Sequence, residues 1–549
     1  MPRLLLGPLL RYVDETQATI WVETDAACTV SVLDAERRTF CVEGHHYALV
    51  HVTGLEPGTA HPYEVACDGT PVWPLEDTEF PPPLIRTATP GGEVQVVFGS
   101  CRIAYPHEKP WILRKDEHED GREVDALRAL VMRMRATEPA DWPDALLMLG
   151  DQIYADEVAP ATVEFIRSRR DVSIAPGEQL ADFEEYTHLY RESWNDPPIR
   201  WLLSNVPTAM IFDDHDVLDD WNTSQKWVDE IRRQPWWKER IVGAFTAYWI
   251  HQHIGNLAPE ELERDALYQR VCEVDDAGPM LREFATQAER SVDSTLWSFV
   301  RDIGPARLIM VDSRAGRVLE PGSRSMVDDR EWGFIERNAR ETELPHLLIG
   351  TSLPWLLAEG MHHMEAWNEA VCEGAWGDRF VGIAESLRQE YDLEHWAAFR
   401  KSFERLSDLI REIGAGRHGT PPKTIVALSG DVHHAYLAEV GFPRGSGVIS
   451  RTYQAVCSPF RNPLDSKERR VIRFATSRPM ALAGRWLARS ARVPAPRLRW
   501  RFTHEEPWFD NVVGSLRLGP DSAHLVIERV REHENASGFD LEKVLSRDL

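Results

Sequence analysis

Cysteine is scarce in this chain and lacks paired spacing. There are seven cysteines among 549 residues, an odd number without a CxxC pair. This pattern argues against a disulfide framework and a zinc ribbon, and it is typical of reduced thiols in a reducing compartment. The cysteines are Cys28, Cys41, Cys67, Cys101, Cys272, Cys372 and Cys457.

Long hydrophobic runs are absent as well. Pro8, Arg11 and Asp14 interrupt the leucine cluster at the start before the hydrophobic region or cleavage site of a secretion signal appears. No later run approaches the length of a membrane span. We therefore predict that the first residues form a strand and that the protein is soluble and cytoplasmic.

Several motifs of common enzyme classes are missing. The sequence has no GxSxG elbow of a serine hydrolase, no GxxxxGK(S/T) phosphate loop, and no GxGxxG after a strand. The formal net charge of −26 argues against nucleic acid as a partner and would repel anionic phosphoesters from the general surface. A phosphate-containing substrate would need local positive charge, which bound cations supply.

Six short apolar runs are present, and each ends on a residue that can bind a metal ion or lie beside a phosphate. They are too short for independent helices and rich in aliphatic residues, as strands buried on both faces are. Asp151, Asp214 and Asp431 then lie where strands end, at the crevice that binds ligands in open α/β sheets. Because Cys, Asp, Tyr and His side chains would converge there, we predict a metal centre. The runs are VQVVFGSCR, DALLMLGDQIY, TAMIFDDHD, RLIMVDSR, HLLIGTSLP and TIVALSGDVHH.

The first 88 residues and the rest of the chain differ in their pattern of predicted secondary structure. Residues 1–88 contain short strand-like segments between turn formers, which predicts a small β-sandwich. A proline-rich and then glycine-rich connector follows, and residues 89–549 alternate strands with helical patterns. The second domain is therefore predicted to be α/β, with helices that cover a central sheet. The predicted helices span 124–135, 227–251 and 396–413.

Four motifs occur at the ends of these runs: Gly99-Ser100-Cys101-Arg102, Gly150-Asp151-Gln152-Ile153-Tyr154, Asp213-Asp214-His215-Asp216 and Gly430-Asp431-Val432-His433. Their order and context resemble the alkaline phosphatase D (PhoD-like) family of the metallophosphatase, or calcineurin-like phosphoesterase, superfamily. The resemblance covers roughly residues 90 to 463. It implies a four-layer fold, with two β-sheets between helical layers, behind an N-terminal fibronectin- or immunoglobulin-like sandwich.

Asp151 is the predicted bridge between two cations. One carboxylate has two oxygens and can hold two ions about 4 Å apart, the spacing used in two-metal phosphoester hydrolysis. Tyr154 lies three residues further on, so a single turn can carry its phenol to the same ion. The resemblance implies a ferric iron site made by Cys101, Asp151, Tyr154 and His433.

The second metal position would share Asp151 and draw on Asp214 and Asp431. This all-oxygen environment favours calcium or another hard divalent ion over zinc, and the resemblance also implies calcium. Zn²⁺ or Mn²⁺ is the alternative. Other residues that could complete this position are Asp219, Asp220 and Asn222.

His215 resembles the metallophosphatase histidine that protonates the leaving alkoxide or hydrogen-bonds the phosphate, and a pKa near neutrality suits either role. Its neighbours Asp213 and Asp216 are predicted to orient it or tune the metals. Arg102 and Arg314 follow the first and fourth strands and are predicted to fork onto phosphate oxygens. For Arg102, a structural salt bridge is the alternative.

We predict a phosphomonoesterase or phosphodiesterase in which a metal-activated hydroxide attacks phosphorus directly. Its partner would be a small-molecule phosphoester, with no nucleic acid. The arginine-rich segment at about 464–502 is either a basic face packed on the acidic body or a contact for anionic lipid or for a partner. Two rival hypotheses are a phospholipase D-like phosphodiesterase that acts on lipid head groups and a noncatalytic partner-binding protein with a structural metal site.

Overall fold

The N-terminal region consists of two antiparallel four-stranded sheets with a shared core. The structure, a computed structural model, describes residues 1–532 and 538–549. Ile20, Val30 and Val50, from both sheets, belong to one buried cluster, as expected of a sandwich. The predicted β-sandwich is confirmed. Its sheets have the orders β1-β2-β6-β5 and β4-β3-β8-β9, and β10 pairs with β7. The strands are β1 Leu4–Val13, β2 Gln17–Thr24, β3 Thr29–Val32, β4 Ala35–Arg38, β5 Phe40–Val42, β6 His45–Thr53, β7 Ala60–Pro62, β8 Val65–Cys67, β9 Thr70–Trp73 and β10 Leu84–Arg86.

Two larger sheets follow. The first has the order β13-β12-β11-β21-β22-β23, in which β11, β12 and β13 are parallel. The second has the order β14-β15-β16-β17-β19-β18-β20, with β15, β16, β17 and β19 parallel. The predicted boundary near residue 88 falls between β10 and β11 and stays a prediction. The strands are β11 Val94–Gly99, β12 Ala145–Leu149, β13 Thr208–Ile211, β14 Phe299–Ile303, β15 Ala306–Val311, β16 His346–Thr351, β17 Thr424–Ser429, β18 Tyr436–Gly441, β19 Arg451–Val456, β20 Arg499–Phe502, β21 Val512–Gly519, β22 Ser522–Glu532 and β23 Phe539–Asp548.

Helices connect these strands. Many begin at a capping residue; the side chain of Asp125, for example, accepts a hydrogen bond from the Leu127 amide at the start of α1. The helices are α1 Ala126–Ala136, α2 Pro160–Arg169, α3 Phe183–Trp194, α4 Pro197–Asn205, α5 Gln225–Ile231, α6 Trp237–Tyr248, α7 Ile254–Asn256, α8 Pro259–Leu262, α9 Ala266–Glu273, α10 Gly278–Arg290, α11 Asp329–Arg340, α12 Glu359–Cys372, α13 Val381–Glu390, α14 Arg400–Gly414, α15 Ser466–Ala475 and α16 Arg478–Ser490.

The two larger sheets lie between helical layers. Leu147 of the first sheet and Leu308 and Leu348 of the second share one buried cluster. The alternate residues Ile309 and Ile349 belong to a separate cluster with side chains of α11 and α14, while α1 packs on β21, β22 and β23. Successive side chains of a strand point to opposite faces, so both faces of the second sheet are buried. This explains the continuous apolar runs and confirms the predicted four-layer α/β fold.

One predicted helix is wrong as a single element. The segment 227–251 is divided, because α5 ends at Ile231 and α6 begins at Trp237. Pro235 lies between them, and a proline interrupts helical hydrogen bonding. The other two predicted helices correspond to α1 and α14, and the predicted first strand is β1. Within the described part of the chain, no helix combines the length and apolarity needed to cross a lipid bilayer.

The six apolar runs are the strands β11, β12, β13, β15, β16 and β17. The loops after them are tied together by backbone hydrogen bonds: the Cys101 amide donates to the carbonyl of Gly150, and the Gly430 amide donates to that of Ser352. A Cβ atom at Gly430 would lie 1.9 Å from Ser100 Oγ. Only glycine permits this close approach, which brings the strand ends of both sheets to one place.

Candidate metal centre

The loops after β11, β12 and β17 bring a thiol, a carboxylate and an imidazole together. Ligand atoms of Cys101, Asp151 and His433 all lie within 4.8 Å of one another. Cys101 Sγ is 3.3 Å from Asp151 Oδ2. His433 Nδ1 hydrogen-bonds the backbone carbonyl of Asn462 at 2.7 Å, which leaves Nε2 as the ring nitrogen available to an ion.

Tyr154 adds a buried phenol beside this cluster. Its side chain packs with that of Cys101, and only 2% of the residue is exposed. The hydroxyl makes no hydrogen bond of good geometry among the described residues, and the side chain of Asn462 lies beside it. Burial, with Cys101 and Asp151 nearby, raises the pKa of Tyr154 well above its usual value. A cation at this position would reverse that effect, because positive charge favours the phenolate.

The backbone is strained where the predicted ligands lie. Cys101, Asp151, Asp431 and His433 have φ values of 56°, 53°, 66° and 51°. Non-glycine residues adopt this left-handed region rarely, at a cost of about 1–3 kcal/mol each, and such strain clusters at functional sites. Four of the six predicted metal ligands share this feature.

A second cluster of carboxylates adjoins the first. Asp151, Asp213 and Asp214 offer oxygens that all lie within 4.8 Å of one another. Asp151 therefore belongs to both clusters, which is the arrangement that a bridging ligand requires. Its Oδ1 atom is buried and has no hydrogen-bond partner in the described part of the chain.

A family model identifies the proteins to which this chain is related. The model of the PhoD-like phosphatase family matches residues 128–459, more than half of the chain. The chain belongs to the PhoD-like phosphatase family. It is therefore a phosphatase, an enzyme that hydrolyses phosphoesters, and the rival hypothesis of a noncatalytic binding protein is set aside. The matched region includes all the predicted metal ligands except Cys101, which lies before it.

Other comparisons concern the fold and the N-terminal region. A domain of unknown function (DUF7800) matches residues 1–85, and no curated protein matches the chain. A solved structure of PhoD is 12% identical, covers 99% of this chain and 89% of its own, and has a TM-score of 0.59. That likeness shows the fold. A purple acid phosphatase, PPD1, from yellow lupin (Lupinus luteus) seeds is 11% identical, with a TM-score of 0.45 over 96% of this chain and 71% of its own.

Two cationic side chains lie beside Asp431 in this PhoD-like phosphatase. Its Oδ2 lies 3.1 Å from His395 Nε2, and its Oδ1 lies 3.4 Å from an Arg314 nitrogen. Burial alone would raise the pKa of Asp431, but these two neighbours lower it far below its usual value. His395 in turn is fixed through Nδ1 by Glu365, at 2.7 Å. Asp431 is therefore ionised and fixed in direction.

Arg314 does not lie where a phosphate contact was predicted. The side chain is fully buried and pairs with Asp213, Asp214, Glu394 and Asp431. These carboxylates use the donors that were predicted to bind phosphate oxygens. The geometry instead makes Arg314 a positioning residue that holds the carboxylates of the second cluster.

Arg102 also departs from the prediction. Its Nε donates to Asp125 at 2.8 Å and its NH1 to the Ser193 carbonyl at 3.0 Å. The guanidinium is buried beside the start of α1. The structure places Arg102 in the salt bridge that was the alternative to phosphate contact.

His215 lies between the two clusters and a carboxylate that the sequence did not single out. Its Nδ1 hydrogen-bonds Asp156 Oδ1 at 2.9 Å, and its ring stacks on Tyr154 with centroids 4.5 Å apart. Burial would lower the pKa of His215, but Asp156, Asp214 and Asp151 raise it well above its usual value. With Nδ1 used by Asp156, Nε2 is the other ring nitrogen, and Asp219 Oδ1 lies 3.7 Å from it.

The other predicted residues take supporting positions. Asp216 Oδ2 accepts the amides of Asp151 and Asp213 at 3.1 and 3.0 Å, as expected of a residue that orients ligands. Asp219 forms a third cluster with Asp214 and His215. The backbone amide of Asp220 donates to Asp214 Oδ2 at 3.1 Å, while burial and a hydrogen bond with Asp392 raise the pKa of its side chain to about 10. The Asn222 side chain donates to the Arg314 carbonyl.

Sequence reasoning missed four residues of this network, Asp156, Glu365, Glu394 and His395. Each reaches the site from a loop or helix rather than from a strand end. Asp156 is 59 residues from its partner His215, and His395 is 36 residues from Asp431. The one usable signal was the position of Asp156 two residues after Tyr154, within the same loop.

Proposed function

We propose that the chain is a metal-dependent hydrolase of phosphomonoesters or phosphodiesters, with ferric iron held by Cys101, Asp151, Tyr154 and His433. One observation carries the proposal: a buried thiol and carboxylate meet a partly buried imidazole, beside a phenol that makes no hydrogen bond of good geometry among the described residues. Imidazole suits iron, and phenolate and thiolate form readily only beside a highly charged cation.

Unpaired buried oxygens support an ion at this cluster. Tyr154 Oη and Asp151 Oδ1 have no hydrogen-bond partner among the described residues. Each unpaired buried polar group costs about 1–3 kcal/mol. An ion bound by both oxygens would remove this cost. It would also explain why the backbone of its ligands is strained.

For the second ion we propose calcium, held by Asp151, Asp214 and Asp431, with another hard divalent ion as the alternative. Carboxylate donors support the choice of a hard ion, and the carboxylate oxygens that lie within 4.8 Å of one another are those of Asp151, Asp214 and Asp213. Arg314, however, already lies 3.0 Å from Asp214 Oδ1 and offsets part of the negative charge. We therefore expect this position to bind its ion more weakly than the iron position does.

The residues around the clusters would move the proton of the reaction. Bound metals supply positive charge for the phosphate oxygens and lower the pKa of a water molecule. Asp156 holds His215 by Nδ1, so the proton on Nε2 is the one that His215 can give to the leaving oxygen. Asp216 keeps Asp151 and Asp213 in place through their amides.

A reducing compartment such as the cytoplasm is also proposed. The described structure contains free cysteines only, and Cys101 must stay reduced to serve as a thiolate ligand.

Metal analysis and visible absorption of the purified protein test the proposal. Protein made with iron and calcium available should contain iron and be coloured, because thiolate and phenolate donate charge to ferric iron. Tyr154→Phe should alter or bleach the colour. Tyr63→Phe is the control, since Tyr63 is buried in the sandwich and donates to the Ser204 carbonyl. A colourless, iron-free enzyme that is fully active with zinc or manganese would overturn the iron assignment.

A panel of phosphomonoesters and phosphodiesters, assayed with the same preparation, tests the activity itself. We expect the parent protein to hydrolyse at least one of the two classes and Asp151→Asn to hydrolyse neither. A metal-loaded protein that hydrolyses neither class would overturn the proposed activity.

A further inference from the structure

The arginine-rich segment forms a helical hairpin on the surface. We call residues 466–490 the basic hairpin; it consists of α15 and α16, joined by Thr476 and Ser477. None of the residues of α15 is buried, and α16 buries only Gly484 and Ala488. A Cβ atom at Gly484 would lie 2.8 Å from the Gly360 carbonyl oxygen of α12. The glycine side of α16 therefore packs on α12, and its opposite side faces outward.

The outward side carries large apolar side chains. Val471, Phe474, Leu482 and Trp486 are 65%, 63%, 65% and 68% exposed. Val471 and Phe474 of α15 are three residues apart, and Leu482 and Trp486 of α16 are four apart. Each pair therefore lies on one face of its helix. Single exposed apolar residues are common, but several on adjoining helices indicate a binding surface.

Positive charge surrounds these side chains. Residues 467–501 contain eleven arginines and lysines against one glutamate, in a chain whose net charge is −26. Some of them are paired, such as Arg473 with Glu506 and Arg485 with Glu359. No carboxylate forms a salt bridge, among the described residues, with the exposed Arg470, Arg478, Arg489 or Arg492. The predicted packing of a basic face on the acidic body therefore accounts for only part of the segment.

We propose that the basic hairpin docks the enzyme on an anionic lipid surface. Val471, Phe474, Leu482 and Trp486 would enter the interfacial layer, and the arginines would contact anionic head groups. Short amphipathic helices with Trp, Phe or Leu on one face and arginine around it are typical of membrane interfaces. The charge is complementary to anionic lipid, while the rest of the acidic surface would be repelled and so fix the orientation.

An acidic protein is the weaker alternative. A stable protein interface buries about 800 Å² on each partner around a packed core, whereas the hairpin presents four exposed apolar side chains on two short helices. A lipid interface needs no pocket to receive them.

The first residues of the basic hairpin adjoin the candidate metal centre along the chain. The hairpin begins four residues after Asn462, whose carbonyl accepts the hydrogen bond from His433. Near its start, the Ser466 amide donates to Asp116 Oδ1. The proposal rests on exposure and charge, so it stands or falls independently of the proposed phosphoesterase chemistry.

Vesicle sedimentation with the full-length protein tests the proposal. We expect binding to vesicles of phosphatidylcholine with 30% phosphatidylglycerol, little binding to phosphatidylcholine alone, and weakening by salt. Removing four arginines, as in R470Q/R478Q/R489Q/R492Q, should lower the partition coefficient at least about tenfold. The matched control R38Q/R233Q/R290Q/R444Q removes the same charge from exposed arginines elsewhere and should bind as the parent does.

A second pair of variants tests insertion. L482S/W486S should also weaken binding at least about tenfold, while I174S, which alters an apolar residue that is 65% exposed elsewhere, should not. Acyl chains labelled with bromine should quench tryptophan fluorescence in the parent and quench it less in Trp486→Phe. No binding to anionic vesicles, or equal loss in the two arginine variants, would overturn the proposal. Loss in the hairpin arginine variant without loss in L482S/W486S would overturn the insertion of the apolar side chains.

Discussion

At the scale of single residues, the centre depends on groups whose charge a cation would change. Cys101 Sγ lies 3.3 Å from Asp151 Oδ2, and burial with the nearby Asp151 and Asp431 carboxylates raises the pKa of the thiol well above its usual value. Without a cation the thiol is therefore neutral. A bound ion would favour the thiolate, since the thiolate is the form that binds metals.

Asp151 should be the most sensitive single position. Asp151→Asn keeps the size of the side chain but removes the charge shared by the two clusters, so we expect activity to fall at least about a thousandfold and metal content to fall with it. Asp144→Asn is the control, because Asp144 lies just before the same strand and accepts the Gln95 amide. Steady-state rates and metal content check both. Parent-like activity in Asp151→Asn would contradict the two-metal arrangement.

The pair His215 and Asp156 should show the signature of a general acid. His215→Ala should slow esters with basic leaving groups by about 10²–10⁴ and activated nitrophenyl esters less, because protonation matters most for a poor leaving group. Asp156→Asn should show the same trend with a smaller loss, since it only fixes the imidazole. Rates against leaving-group pKa measure this. An equal loss for all leaving groups would indicate phosphate positioning instead.

Sequence patterns located the residues at strand ends but not those that hold them. Cys101 and Asp151 could be predicted to meet because the parallel strands before them end at one edge of a sheet. His433 follows a strand of the other large sheet, and the close approach at Gly430 brings it to them. Arg102 and Arg314 were predicted to contact phosphate, because a sequence pattern does not show which carboxylate will neutralise a buried guanidinium. The partner of Arg102, Asp125, lies in the adjoining loop before α1, and Glu394 reaches Arg314 from a loop 80 residues away.

At the scale of elements, the N-terminal sandwich contacts the rest of the chain through partly buried ion pairs. On β6, His45 lies 3.3 Å from Glu23 of β2 and 2.7 Å from Glu184 of α3. Burial lowers the pKa of His45, but hydrogen bonds to the two carboxylates outweigh it and raise the pKa to about 9. The contact between the two regions should therefore depend on pH.

His45 should stabilise the fold below neutral pH and lose this effect at high pH. Its folded pKa lies above the usual 6.5, so the stabilisation is complete below 6.5 and disappears as pH rises through about 9. The shift sets an upper limit of about 3 kcal/mol. Urea unfolding of His45→Gln and the parent at pH 6 and 9.5 should differ more at pH 6. His51→Gln on the same strand, where His51 contacts Gln17, should show no such change.

Elements with both faces buried were the most predictable. β12 and β17 are entirely buried, and their apolar runs therefore needed no alternation to be recognised as strands. The segment 227–251 shows the limit of periodicity, because its apolar spacing continues across Pro235 while the backbone does not. In the sequence, the segment that forms α15 and α16 stands out by its charge alone. Its outward apolar side could not be predicted, because that side depends on how α16 packs on α12.

At the scale of the whole molecule, charge opposes the substrate. The chain has a net charge of −26, and a phosphomonoester approaches as a dianion near neutral pH. A substrate that is more than about one Debye length from the centre is screened from the cations proposed there, and it meets the field of the nearby acidic surface instead. Attraction by the proposed cations and repulsion from the acidic surface would therefore act at different distances.

Salt should accordingly raise the rate of substrate capture. Raising ionic strength from about 0.01 to 0.15 M shortens the Debye length from about 30 to 8 Å, which screens the surface more than the buried centre. We expect kcat/KM to increase several-fold for a dianionic phosphomonoester and less for a monoanionic phosphodiester, because repulsion scales with substrate charge. Potassium chloride and sodium chloride at equal ionic strength should give the same curve, which separates screening from binding of a particular ion. A kcat/KM that falls with salt for both substrates would mean that positive charge near the site, and not the acidic surface, governs their approach.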